Sequence, residues 1–145
     1  MPTARLRWVQ SPAPLRLTFP AQPSALAPLR RTLRQWLTQA GLGADRTADM
    51  VLAVTEACTN AVEHAYVAEQ PEAGTIRVDG ELLGEVLRIT IVDGGHWKTA
   101  DSDPNTLRGR GLAIMRAVVP DTFISTSPAG TTVELRATVE LHALH

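Results

Sequence analysis

Apolar residues recur at three- and four-residue steps in two stretches of the chain and at alternate positions in four others, which predicts helices and strands respectively. Leu15, Leu17 and Phe19 alternate with Arg16 and Thr18 as a half-buried strand ended by Pro20. Leu26, Leu29, Leu33, Trp36 and Leu37 form a helical stripe. Ser24 is its expected cap, Pro28 falls in its first turn, and Gly41 and Gly43 stop it. From Asp45–Thr47 a longer helix is expected, with Val51, Val54, Cys58, Ala61 and Ala65 on its apolar side, fading between Tyr66 and Glu69 before Pro71.

Two alternating runs, Ile76, Val78 and Leu82, then Leu87, Ile89 and Ile91, flank Gly84 and predict an antiparallel hairpin. A short helix from Arg108 to Ala117 follows, with Leu112, Met115 and Val118 available to the core. Pro120 breaks it, Thr122 to Ser127 forms a strand, Gly130 turns, and Val133, Leu135 and Ala137 alternate as the last strand. Residues 1–14 and 138–145 are expected to be tails, leaving residues 15–137 as one domain.

The long helix carries a second periodicity. Glu56, Asn60 and His64 recur every four residues, so each drifts only about 40° from the last and the three form one row, expected roughly opposite the apolar stripe. Such a row is either the wet side of an amphipathic helix or a catalytic one. Lys and Arg, usual on a plain solvated face, are absent from 51–66, and a carboxylate, carboxamide and imidazole on successive turns supply a base, a neutral metal-ligating oxygen and a second proton-handling group.

At 145 residues with 44% hydrophobic content, the chain suits one soluble domain. A formal net charge of -1 hides an asymmetry: residues 1–46 hold seven arginines against one acid, Asp45, and the remainder is acidic. Without aromatic interleaving, this does not point to nucleic acid. Arg30, Arg31 and Arg34 are either a solvated basic face or a place for a partner. The one cysteine, Cys58, excludes a disulfide framework and lies on the apolar stripe, and no apolar run reaches the length of a membrane span. A cytoplasmic location is expected.

Two glycine-rich segments complete the candidate chemistry. The hairpin runs into Asp93-Gly94-Gly95, an acid at a strand end beside exposed backbone. Gly109-Arg110-Gly111-Leu112 opens the short helix, where backbone amides and the helix dipole can receive an anion, although neither a P-loop nor a dinucleotide fingerprint is present. His142 and His145 have no carboxylate or cysteine neighbours, so no structural metal is expected.

In order, Glu56-x3-Asn60-x3-His64-Ala65-Tyr66, Asp93-x-Gly95, Gly109-Arg110-Gly111-Leu112-Ala113-Ile114-Met115 and Gly130-Thr131-Thr132-Val133 resemble the GHKL (Bergerat-fold) ATPase superfamily, and within it the bacterial anti-sigma-factor serine/threonine kinases. The resemblance covers residues 15–137 and implies an α/β two-layer sandwich: a mixed, largely antiparallel sheet with helices on one face. It implies ATP and Mg²⁺, with Asn60 ligating the metal, Glu56 acting as or positioning the general base, and His64 near the phosphates. By the same resemblance Asp93 reads adenine, Gly95 permits close approach, Thr131 supports the base, and Gly109, Arg110, Gly111 and Leu112 receive phosphates. The first glycine box departs from many histidine kinases in carrying Trp97, and the segment between Gly95 and Gly109, expected to be the ATP lid, is short. The implied partners are an anti-anti-sigma protein of the STAS type and a sigma factor, with a homodimer as the assembly. Two other readings stay open: a nucleotide-responsive binding module that phosphorylates nothing, and a stand-alone ATPase.

Overall fold

The computed structural model of the chain describes residues 12–68, 74–94, 107–128 and 130–139, without the side chains of 64–68 and 107–110. Its strands are β1 (Leu15–Pro20), β2 (Thr75–Leu83), β3 (Val86–Asp93), β4 (Thr122–Ser127) and β5 (Gly130–Thr138). They form one sheet in the order β1-β2-β3-β5-β4, antiparallel at every described pairing. This is the largely antiparallel sheet expected, with no parallel pairing among the described strands. Hairpins join β2 to β3 and β4 to β5, so β5 enters the sheet beside β3 and puts the start of one strand against the end of the other.

Alternation makes the sheet one-sided. Ile76, Val78, Leu87, Ile89, Ile91, Val133 and Leu135 are buried, while Arg77, Arg136 and Phe123 point to solvent on the opposite side. Among the described residues three α-helices, α1 (Leu26–Gln39), α2 (Ala44–Ala68) and α3 (Leu107–Val118), supply the second layer.

Helix α1 buries Leu29, Leu33, Trp36 and Leu37, the predicted stripe. Its start differs from expectation. Ser24 lies in a 3-10 turn, Pro23–Ala25, and the residue preceding α1 is Ala25, without a side-chain cap. The turn substitutes for the cap, because the Leu26 N–H already donates to the Pro23 carbonyl. At the other end, Gly41 N–H donates to Thr38 O at 3.0 Å and Leu42 N–H to Leu37 O at 3.1 Å, a Schellman closure. Trp36 pins α1 to the sheet edge: its indole N–H donates to Ala13 O at 2.8 Å, and its ring fills the space that a side chain on Gly80 would need.

Helix α2 is the centre of the molecule. Met50, Val51, Ala53, Val54, Ala57, Cys58, Asn60 and Ala61 are all buried, and on a helix of 3.6 residues per turn they span roughly 180°. That arc is wider than the predicted stripe because α2 is flanked on both sides as well as below. It therefore takes in Asn60, so the polar row is not opposite the core as expected; it borders it.

Candidate functional site

Asn60 sits at the edge of the buried arc of α2 and is 5% exposed, whereas Glu56, one turn earlier, is half-buried. The element that covers them is α3. A Cβ built on Gly111 would lie 3.1 Å from Glu56 Oε2 and 3.6 Å from both Asn60 Oδ1 and Asn60 Nδ2. A Cβ at residue 111 would therefore crowd Glu56 Oε2 and rest in ordinary contact with Asn60, and glycine lets the α3 backbone close over them. The amides of a helix that lack an intrahelical partner are those of its first turn, here residues 107–110, which include Gly109 and Arg110. Gly111 is just past that turn, and its part in the geometry is close approach. Leu112 is half-buried against the core and Met115 fully buried, which fixes the rotation of α3 about its axis.

A second polar pair stands at the end of the sheet. Asp93 closes β3 and is 3% exposed; Thr131, its register partner on β5, is fully buried. Both occupy positions where the strand alternation would otherwise place an aliphatic side chain, and burial of a carboxylate is costly unless it is hydrogen-bonded or paired. Gly130 makes the pairing possible. Its φ is +138°, and a Cβ there would fall 2.0 Å from Asp93 O, so only glycine lets β5 start against the last residue of β3.

Electrostatics link the two pairs to α2. Burial, helped by the charge of Glu63, raises the Glu56 carboxyl above its usual range. Burial, helped by the charge of Asp93, pushes the Cys58 thiol up to about 12, so this cysteine is a neutral core side chain beneath the site. Glu63, seven residues after Glu56, has no place in the predicted row. The signal that could have found it is that two helical turns return a side chain to nearly the same face.

The structure brings together Glu56, Asn60 and Gly111 around the α2–α3 contact, and Asp93 and Thr131 at the sheet end. Gly95 lies outside the described residues, as do the side chains of His64, Gly109 and Arg110. The donor set suits a Mg-nucleotide on chemical grounds. A buried carboxamide beside a carboxylate offers the metal a neutral oxygen, a side-chain-free glycine leaves room at the helix, and a buried carboxylate paired with a hydroxyl can read the edge of a base.

A family model for the histidine kinase-like ATPase domain matches residues 19–137. The chain belongs to this family. Among its relatives, the serine-protein kinase RsbW of Bacillus pumilus is 29% identical over 135 residues, 83% of either chain. The RsbW of Bacillus licheniformis is 35% identical over 81 residues, 56% of this chain and 50% of that protein. A solved structure of the RsbU and RsbW domains of a Mycobacterium tuberculosis protein is 32% identical with a TM-score of 0.69, covering 86% of this chain and 32% of that one. These matches support the anti-sigma-factor kinase branch of the GHKL superfamily. The matched part of this chain thus covers most of the length of one RsbW, about half of another and a third of the solved two-domain chain. ATP is the nucleotide that membership of this family implies, and among the described residues no helix is long and apolar enough to cross a membrane.

Proposed function

We propose that this protein is an ATP-dependent serine/threonine kinase that acts as an anti-sigma factor, phosphorylating an anti-anti-sigma partner of the STAS type and holding a sigma factor in a partner switch. The observation that carries the reading is the convergence of Glu56, Asn60 and Gly111, a base, a metal-ligating carboxamide and a helix brought close for want of a side chain. The ATP-binding domain is residues 15–137, the assembly a homodimer and the location the cytoplasm.

Asn60 would hold Mg²⁺, and His64 would stand at the phosphate end. Asp93 would accept from the adenine amine, with Gly95 and Thr131 completing the base site. Gly109, Arg110, Gly111 and Leu112 would border the phosphates. The metal, when bound, neutralises phosphate charge and fixes its orientation. The protein's own part is placement and proton handling. Glu56 Oε2 faces Gly111 with its carboxyl raised by burial, which makes it a better proton acceptor from a serine or threonine hydroxyl than an exposed carboxylate. Asn60, held on the neighbouring turn, sets where the phosphates lie relative to that base.

The test uses labelled ATP with candidate STAS proteins. Wild type is expected to label one of them, and Glu56→Gln to keep nucleotide binding while losing transfer by about 10²-fold or more. Full transfer by Glu56→Gln would contradict the assignment of the base. Because the solvent side of Glu56 would also admit water, phosphate release without any labelled protein would instead favour the stand-alone ATPase. Nucleotide binding with neither product would favour the binding module.

A further inference from the structure

Five large apolar side chains stand exposed among the described residues: Leu52, Leu83, Val86, Ile114 and Phe123. Three have local explanations. Leu83 and Val86 face each other across the β2–β3 turn, and Phe123 lies under the Arg136 guanidinium, 5.0 Å from its ring centroid. Leu52 on α2 and Ile114 on α3, 40% and 38% exposed, have none among the described residues.

Both flank Glu56. Leu52 precedes it by four residues, about 6 Å along α2, with the side chains on neighbouring turns of one face. Helix α3 runs antiparallel to α2, since Gly111 meets Glu56 and Asn60 while Val118 shares a small cavity of about 90 Å³ with Asp49 and Met50. Ile114 follows Gly111 by three residues, about 4.5 Å along α3 toward the level of Leu52. The open side of Glu56 is therefore bordered by one exposed aliphatic residue on each helix.

The charge around them has one sign on α2. Asp45, Asp49, Glu56 and Glu63 fall with Leu52 within a sector of roughly 60° on the outer side of the helix. Arg46, the only arginine of α2, is turned away and donates to the Thr138 carbonyl at the end of β5. An acceptor hydroxyl approaching Glu56 from its solvent side would bring its surface against these residues.

We propose that Leu52 and Ile114 form the docking surface for the phosphoacceptor, a folded protein that presents its serine or threonine hydroxyl beside an apolar contact and within a basic surround. The inference rests on the kinase reading. The apolar pair supplies the desolvated contact, and the acidic sector of α2 orients the partner's basic residues and speeds encounter.

The experiment measures initial rates of transfer from labelled ATP to the STAS protein that wild type labels, for wild type, Leu52→Ser, Ile114→Ser and the control Leu83→Ser, which removes a still more exposed aliphatic residue at the far hairpin. ATP affinity is measured in parallel by calorimetry. Leu52→Ser and Ile114→Ser are expected to raise KM for the acceptor about tenfold each, with kcat and ATP affinity near wild type and Leu83→Ser unchanged. Added salt is expected to raise the wild-type KM. Unchanged acceptor KM in both helix variants would overturn the docking surface while leaving the kinase intact. A wild type that binds ATP but labels no protein would overturn the kinase reading itself, and the docking surface with it.

Discussion

Glu56 carries two opposed requirements in one side chain. Its carboxyl is raised by burial and by Glu63, so the folded protein binds a proton there more readily than the unfolded chain does. The contribution to stability is therefore full below the usual carboxylate range, near 4.5, and is lost as pH rises through the raised value. At neutral pH the ionised group works against the fold, and Glu56→Gln is expected to unfold at a slightly higher temperature than wild type while failing in transfer. A lower melting temperature would show that the carboxylate is instead well compensated. With Glu56 as the proposed base the carboxylate is the working form, so transfer is expected to fall as pH drops through the same raised value. Glu63→Gln, by removing the second cause, is expected to move that acid limb to lower pH, and rate–pH profiles of the two proteins check it. At this scale the residue types were readable from the sequence and their surroundings were not. The four-residue spacing singled out Glu56 and Asn60, but whether the row was wet or covered depended on α3, which lies far downstream in the chain.

At the scale of elements, the periodicities carried most of the information because the sheet has one buried face and alternation is unambiguous there. β1, the β2–β3 hairpin and β5 lie where apolar alternation predicts them, and β4 lies between the Pro120 break and the Gly130 turn that bracket it in sequence. The exception at Ser24 has a local cause, since a 3-10 turn and a capping side chain are alternative ways of satisfying the same amides. In sequence Gly130 reads as a turn residue, but its demand is tertiary: its missing Cβ is required by the Asp93 carbonyl across the sheet. This separates two glycines that look alike in sequence. Gly84, with φ +64° and open space for 4 Å around the point where a Cβ would stand, should cost only about 1 kcal/mol when changed to Ala. Gly130→Ala combines backbone strain with a collision against backbone and is expected to cost about 3 kcal/mol or more, with loss of nucleotide binding through displacement of Asp93 and Thr131. Urea unfolding of the two variants tests the contrast, and equal costs would mean that β5 can shift without consequence.

For the molecule as a whole, a one-sided sheet and a helical layer leave two polar clusters on the same side of one scaffold: Glu56 and Asn60 under α3, Asp93 and Thr131 at the sheet end. The fold was legible because the four motifs occur in one order along the chain, and that order matches the connectivity that brings β3, β5 and the two helices together. The proposed docking surface was not legible, because an exposed leucine in a helical pattern looks like any other apolar position until its neighbours are known. Leu52 falls between core positions in sequence and faces outward only in three dimensions.

Everything proposed for these clusters depends on their holding a Mg-nucleotide, and calorimetric titration of ATP and ADP, with and without Mg²⁺, into wild type and Asn60→Ala puts that to the test. Micromolar-scale binding that strengthens with Mg²⁺ and collapses in a folded Asn60→Ala protein is the expected result. Absence of binding to folded wild type, or binding that ignores both Mg²⁺ and Asn60, would contradict it.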